Sequence, residues 1–459
     1  MKKITTNRHG IGAAQHSKPT PPILVLGLAG LISLAAAPSR SFAASPAFTF
    51  NVVTTIGSAA PGGGAFADDF EPTALNNHGQ LAFTAEPDEL GKEGVFLAGG
   101  GTVQQIVRFG QSAPGGGTFS IYDLGNIGLN DAGDAACAFT LAPLDFGPPM
   151  NAGLYRWSHS SGTLSAAVVP NVTPDPNGGV LAGINFSVSL NNRGDVAFTG
   201  YVTNTPVGLG EGFFVQSASG SISSIARTGD ASPDGGTFVL SDAAALGIMV
   251  NDAGDVVFEG NTTQDTANHT KLYSRRGDTG NLQLIPPPAG VVRYGSFAVN
   301  NRDDVVFGGH YIPYGQGAVY LRRAGETSII AKVGEAAPGG GIFSFITGAG
   351  YGGHIALNNA GDIAFEAATT LPDSSIDEAV YYYSAATKKL RRLAGIGTIL
   401  PGYGVVVSLE QVGALVFPGV PVTGVPFSYM ALNDRSQVAF AATVTDGVTV
   451  YGVLLMGTP

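Results

Sequence analysis

The sequence predicts an all-β fold, a seven-bladed β-propeller of four-stranded antiparallel blades whose ring is closed by the N-terminal strand completing the last blade. Three observations predict it. One Asn-centred motif occurs seven times, each copy sits among strand-like runs, and each end of the repeat array supplies what the other lacks.

The motif begins as Leu75-Asn76-Asn77-His78-Gly79-Gln80-Leu81-Ala82-Phe83, and its Asn returns at Asn130, Asn191, Asn251, Asn300, Asn358 and Asn433. The spacings are 54, 61, 60, 49, 58 and 75 residues, the scale of one supersecondary unit per repeat. A Phe follows each Asn with small shifts, at Phe83, Phe139, Phe198, Phe258, Phe307, Phe365 and Phe440. The Asn-x-x-Gly step reads as a turn, because Asn bonds its own backbone and Gly accepts positive φ. Asp303 and Ser436 hold the Gly place in two copies and read as turns of altered geometry.

One strand enters each turn and a second leaves it, as in Asp195-Val196-Ala197-Phe198. A third strand carries an aromatic residue: Phe96, Tyr155, Phe214, Tyr273, Tyr320, Tyr381 and Tyr451. A fourth, such as Val103 to Arg108, runs into a Gly-rich crossover like Gly110 to Phe119. Four antiparallel strands per repeat make a propeller blade.

A spare crossover, Gly57 to Phe66, precedes the first blade and follows the strand-like run 48–55. The seventh repeat stops after its third strand, at Leu455. Pairing the two ends closes the ring and leaves no long exposed edge. Residues 395–425 account for the longest spacing and read as an insertion, an extra hairpin that caps the channel or docks a partner.

Composition supports this reading. The chain has 459 residues, 44% hydrophobic and 12% charged, with 67 Gly. That is too apolar for disorder and suits short strands joined by tight turns. Residues 1–43 differ. Lys2, Lys3, Arg8 and Lys18 precede the apolar run Ile23 to Ala37, and Ser41-Phe42-Ala43 offers a cleavage site. We read them as a signal peptide cut near Ala43, leaving a propeller over 44–459 that is secreted, extracellular or periplasmic. Beyond Ala43 stand 18 Lys/Arg against 34 Asp/Glu, which disfavours nucleic acid and anionic membrane as partners. No transmembrane segment is expected, and the protein reads as a monomer. Cys137 is alone, so no intrachain disulfide is expected.

The repeated L-N-[ND]-x-G-[DQ]-x-[AV]-F copies and the A-P-G-G-G-T-F crossovers resemble those of the secreted NxxGxxAF tandem-repeat proteins, over roughly residues 48–456. The resemblance implies a β-propeller-like fold and a secreted location. It implies no defined activity and brings no catalytic residues.

Residues present in every copy serve the blade, so the candidates for chemistry are those that break the repeat. The strand order puts the crossovers and the loops between second and third strands on one face, where function is expected. There His310, Tyr311 and Tyr314 of blade five and Tyr351 and His354 of blade six offer a His–Tyr set of the kind a polysaccharide lyase needs for proton transfer. Asp68, Asp69 and Glu71 of blade one offer carboxylates for ligand binding, hydrolysis or Ca²⁺, though a solvated acidic face reads equally well. Pro174-Asp175-Pro176-Asn177-Gly178-Gly179 reads as a turn before it reads as a calcium loop. No cofactor is expected, Ca²⁺ being the one ion considered. The chain has no G-x-S-x-G, H-E-x-x-H or Walker motif and one Trp, Trp157.

The leading expectation is therefore a secreted binding or interaction module, with polysaccharide or a surface protein as partner. The alternatives are an extracellular polysaccharide lyase or glycoside hydrolase working on the crossover face, and a structural envelope or matrix protein.

Overall fold

The computed structural model describes residues 48–88, 92–120, 126–143, 151–240, 247–265, 269–311, 317–348, 354–409 and 429–458; at Asp68, Asp69 and Phe186 it describes the backbone alone. Strands are the only regular element among them. They form seven antiparallel sheets, the seven blades of a β-propeller.

Blade one shows the plan. Its inner strand Phe66–Leu75 pairs with Leu81–Pro87, then Gly94–Gly99, then the outer strand Thr102–Arg108. The turn between the first two strands is held by the repeated Asn. Asn76 Oδ1 accepts from the backbone N–H of His78 (3.0 Å) and of Gln80 (2.9 Å), and Gly79 takes φ +78°. The turns at Asn300 and Asn433 close alike although Asp303 (φ +61°) and Ser436 (φ +60°) stand at the Gly place.

The Phe of the second strand stacks on the aromatic of the third, as in Phe198–Phe214 (5.4 Å, 22°) and Phe365–Tyr381 (5.7 Å, 20°). Crossover rings then meet them edge-on: Phe66 on Phe96, Phe238 on Tyr273, Phe343 on Tyr381. All of these rings are buried. Burying each contributes about 1.5–3 kcal/mol, with roughly 0.5–1.5 kcal/mol more per ring pair. This is why the chain carries so few charges inside the repeat.

The ring closes as expected. Thr49–Thr55 pairs antiparallel with Val450–Thr458, Phe50 lying opposite Gly457 and Thr55 opposite Val453, and becomes the outer strand of blade seven.

Two expectations are corrected, and the shift of Phe139 is accounted for. In blade seven the residue opposite Phe440 is Leu455, while Tyr451 lies farther out, opposite Val444, and donates to the carbonyl of Tyr403 at 2.7 Å. In blade two the place seven residues after the Asn belongs to Cys137, and Phe139 reaches the same core from two residues on. Burial pushes the Cys137 thiol up, so it is a core residue and unreactive. Residues 395–409 are no insertion. Ile399–Leu400 and Gly404–Ser408 form the hairpin of a seventh crossover, followed by the start of the inner strand. Gly397 N–H donates to Val406 O at 2.9 Å, as Gly110 does to Phe119 and Gly334 to Phe343. Val406, buried, takes the place of those Phe residues. The remainder of the expected insertion falls in 410–428, outside the described residues.

Candidate functional site

The seven Asn turns meet at the axis and make a polar depression of about 210 Å³. Its wall is two concentric rings of hydrogen bonds. In the first, Asn76, Asn191, Asn251, Asn300, Asn358 and Asn433 each pass a side-chain N–H to the carbonyl of the next blade's Asn at 2.9–3.2 Å. The second is made by the residues that follow: Asn77, Asp131, Asn192, Asp252, Asn301, Asn359 and Asp434. Every backbone N–H in it donates to the next side-chain Oδ1, from Asn77→Asp131 (2.8 Å) round to Asp434→Asn77 (2.8 Å). No two of the three Asp residues are neighbours, and three is the most a seven-membered ring allows on that condition. Each carboxylate also receives an Asn amide, for example Asn192 Nδ2 to Asp252 at 3.1 Å. The repeated polar residues are thus consumed in joining blades, and the second ring is a feature the single-motif reading missed. Its signal was present: the residue after each Asn is always Asn or Asp.

A third repeated carboxylate pins the turn between third and fourth strands. Asp195 accepts the N–H of Ala218, Asp255 that of Gly277 (2.7 Å) and Asp362 that of Ala385 (2.9 Å). At blade five Asp303, off-pattern at the Gly place, joins this system. It accepts from Asn251 Nδ2 at 3.2 Å beside Asp255, and Arg276 pairs with both carboxylates, at 3.1 Å to Asp255. Burial and the neighbouring Asp255 push Asp303 up. Asp255 is held down, against burial, by Gly277 N–H and Asp303.

The sequence-predicted candidates fall in separate places. His310 ends the second strand of blade five, buried, opposite Arg293 at the start of the inner strand. Tyr311 beside it is half-buried. Its hydroxyl meets that of Tyr320, and Lys332 Nζ lies 5.3 Å from its ring centre. His354 stands two residues before the inner-strand segment Ala356–Leu357 of blade six, at the place Ser296 holds in blade five, within the bulge between Tyr294 and Phe297. The two histidines therefore differ in blade, strand and height. His354 packs instead on Tyr429 of blade seven, ring centres 4.6 Å apart, and burial lowers its pKa to about 4, leaving it neutral. Tyr429 was missed because the sequence shows it only as strand. Both occupy the fourth position before the repeated Asn, where the other blades carry Pro72, Asn126, Ser187, Gly247 and Ser296.

Tyr314 and Tyr351 lie outside the described residues. Asp68 and Asp69 are described by backbone alone, on the strand that also carries Glu71, whose Oε2 accepts from Thr84 at 3.0 Å. Asp175 serves packing: it forms a buried ion pair with Arg227 of blade three at 2.6 Å. Lys271 of blade four, where blades one to three have Gly94, Gly153 and Gly212, clamps Asp234 (2.6 Å) and Asp265 (2.7 Å). Against burial, hydrogen bonds from Lys271 and Ser232 hold Asp234 well below the usual carboxylate range. Among the described residues no group of three or more His, Cys, Asp or Glu is placed to hold a metal ion.

On the crossover face of blade one lies a cleft of about 380 Å³. Phe109, Gln105, Gln111, Arg108, Asp88 and Lys92 line it. Phe109 is 40% exposed; the residues preceding the other Gly-started crossovers are Ile56, Thr228, Val333 and Ile396, with no ring. Arg108 is fixed by Asp88 (3.2 Å) and by the carbonyl of Gly63 (2.9 Å), and its N–H donates to Gln111. Among the described residues the buried side-chain oxygen of Gln105 has no hydrogen-bond partner.

Fold and site together define a seven-bladed β-propeller whose repeated polar groups join its blades and whose non-repeated groups line clefts. Over residues 86–287 and 286–456 the sequence matches a family described as of unknown function (DUF7453), and the chain belongs to that family. No curated protein matches it. Among solved structures it is similar to an oligogalacturonate lyase in complex with manganese (12% identity, 90% of this chain and 96% of that one, TM-score 0.48). It is similar to an oligogalacturonate lyase from Vibrio parahaemolyticus (11%, 90% and 97%, 0.49) and to a puromycin-hydrolyzing peptidase from Mycobacterium tuberculosis (11%, 88% and 56%, 0.49). Likenesses this distant carry neither a ligand nor a reaction to this chain. Among the described residues no helix is long and apolar enough to cross a membrane.

Proposed function

We propose that the protein is a secreted binding module that holds a carbohydrate in the blade-one cleft. One observation carries the reading: an exposed aromatic ring, Phe109, is set among amide and charged groups in a space of about 380 Å³. A sugar offers an apolar C–H face and a rim of hydroxyls, and such a cleft meets both, the ring facing the first and the polar groups of Gln111, Arg108, Asp88 and Lys92 the second. The expected signal peptide at 1–43, which lies outside the described residues, supports an extracellular or periplasmic place. The repeat motif supports a place among secreted NxxGxxAF proteins.

The test is native affinity electrophoresis of residues 44–459 through gels containing different polysaccharides. Retardation without loss of polymer, weakened about tenfold or more in Phe109→Ala, would support the reading. Retardation that Phe109→Ala leaves unchanged would remove the cleft from it, and migration unaffected by every polymer would sink the carbohydrate ligand.

A polysaccharide-degrading reading has one observation in its favour, the neutral His354 packed on Tyr429. It predicts cleared zones in the same gels that disappear with His354→Ala.

A further inference from the structure

The joints between blades follow a rule along the third strand. The residue after the core aromatic faces the next blade, and the one after that faces the previous blade. At three joints, between blades one and two, two and three, and five and six, the two meet. Leu97 of blade one and Trp157 of blade two share one apolar cluster, and Leu321 and Tyr383 share another. Between blades two and three the couple is polar: Arg156 Nη1 bonds Gln216 Oε1 at 3.3 Å, and Gln216 Nε2 reaches the carbonyl of Ala167 at 3.2 Å. The outward-facing residues are Leu97, Arg156, Val215, Leu321, Tyr382 and Met456, all larger than the seventh, Ser274 of blade four.

Opposite Ser274 stands Arg322 of blade five, and here the joint does not close. A cleft of about 370 Å³ opens between the two blades. Its wall is aliphatic: Val257, Leu284, Ile285, Val299 and Val305. Ser274, Gln283 and Arg322 supply its polar groups. Arg276, also at the rim, is already neutralised by Asp255 and Asp303. Arg322 is half-buried, and among the described residues its guanidinium has no hydrogen-bonding or ion-pairing partner. A half-buried, unpaired cation is costly, and a carboxylate matches a guanidinium in a two-pronged hydrogen bond.

We propose that this cleft binds a small amphipathic carboxylate, its anionic end on Arg322 and its hydrocarbon body on the aliphatic wall. One unpaired guanidinium suits a monoanion, and the nearby Asp255 and Asp303 disfavour a dianion. The wall has no ring to stack on and five aliphatic side chains, which separates this ligand from the sugar of the blade-one cleft. The two sites are independent.

The experiment is isothermal titration of residues 44–459 with hexanoate and cyclohexanecarboxylate, with hexan-1-ol and sulfate as controls. Saturable binding of at least one carboxylate is expected, weakened about tenfold or more in Arg322→Gln and abolished in Ser274→Leu. Gln is the residue blade three has at the Arg322 place, and Leu is what blades one and five have at the Ser274 place. Both variants should therefore keep the wild-type melting temperature, and Arg322→Gln alone decides the matter if Ser274→Leu does not fold. Absence of saturable binding by either carboxylate, equal affinity for sulfate, or affinity unchanged in Arg322→Gln would overturn the proposal.

Discussion

The side-chain amide of Asn433 donates to the backbone carbonyl of Asn76 at 2.9 Å, joining residues 357 apart in sequence. It is the bond by which the inner ring of asparagines returns to its start. At the opposite edge of the same blade the N-terminal strand pairs with the C-terminal one. The seventh blade is thus fastened twice, once at the axis and once at the rim.

Deleting residues 44–56 removes the rim fastening and exposes both edge and core of blade seven, including the packing of Phe50 on Phe440. The truncated chain should melt well below residues 44–459, and it should lose cooperativity in urea unfolding. Asn433→Ala removes the axial bond and leaves buried backbone groups unpaired, at a cost of about 1–3 kcal/mol. A truncation that melts like the parent would show that the strand is an ornament.

Asp175→Ala should destabilise by about 3–5 kcal/mol, because it leaves the buried Arg227 charge uncompensated. Ala itself fits the place, since Ala60, Ala113 and Ala337 hold it in other crossovers. The double variant Asp175→Ala/Arg227→Met should therefore recover much of the loss. Chemical denaturation of the three variants measures this, and equal losses in single and double variants would count against the ion pair as the cause.

His354 should give the protein an acid limb. Its folded pKa, about 4, lies below the unfolded value near 6.5, so the neutral form is the one the fold favours. The associated stability is fully present above pH 6.5 and is lost progressively as pH falls toward 4, up to about 3 kcal/mol. Melting temperature measured from pH 8 to pH 4 should fall less steeply in His354→Phe than in the parent. Parallel profiles would mean that His354 does not titrate this way.

Much of the architecture was legible because the repeat states it seven times. Blade number, strand number and the closing strand all follow from counting copies and noticing which strand each end lacks. The seventh crossover escaped because Tyr403 and Val406 replace Gly and Phe of the pattern. What survives is the nine-residue spacing from Gly397 to Val406, with Pro401 where other crossovers have Pro61 and Pro114. Tyr451 misled for the converse reason: it is an aromatic near the right spacing, but the register of the last strand gives its place to Leu455.

The sequence by itself determined the fold, since turn chemistry and alternating apolar residues are local and a repeat averages out their ambiguity. It also marked which residues are scaffold. Only the tertiary structure decided which non-repeated residues meet, because such contacts join strands of different blades whose heights and registers no local pattern encodes. His354 meets Tyr429, Asp175 meets Arg227, and Ser274 faces Arg322 for that reason. Each pair is fixed by the stacking of one blade on the next.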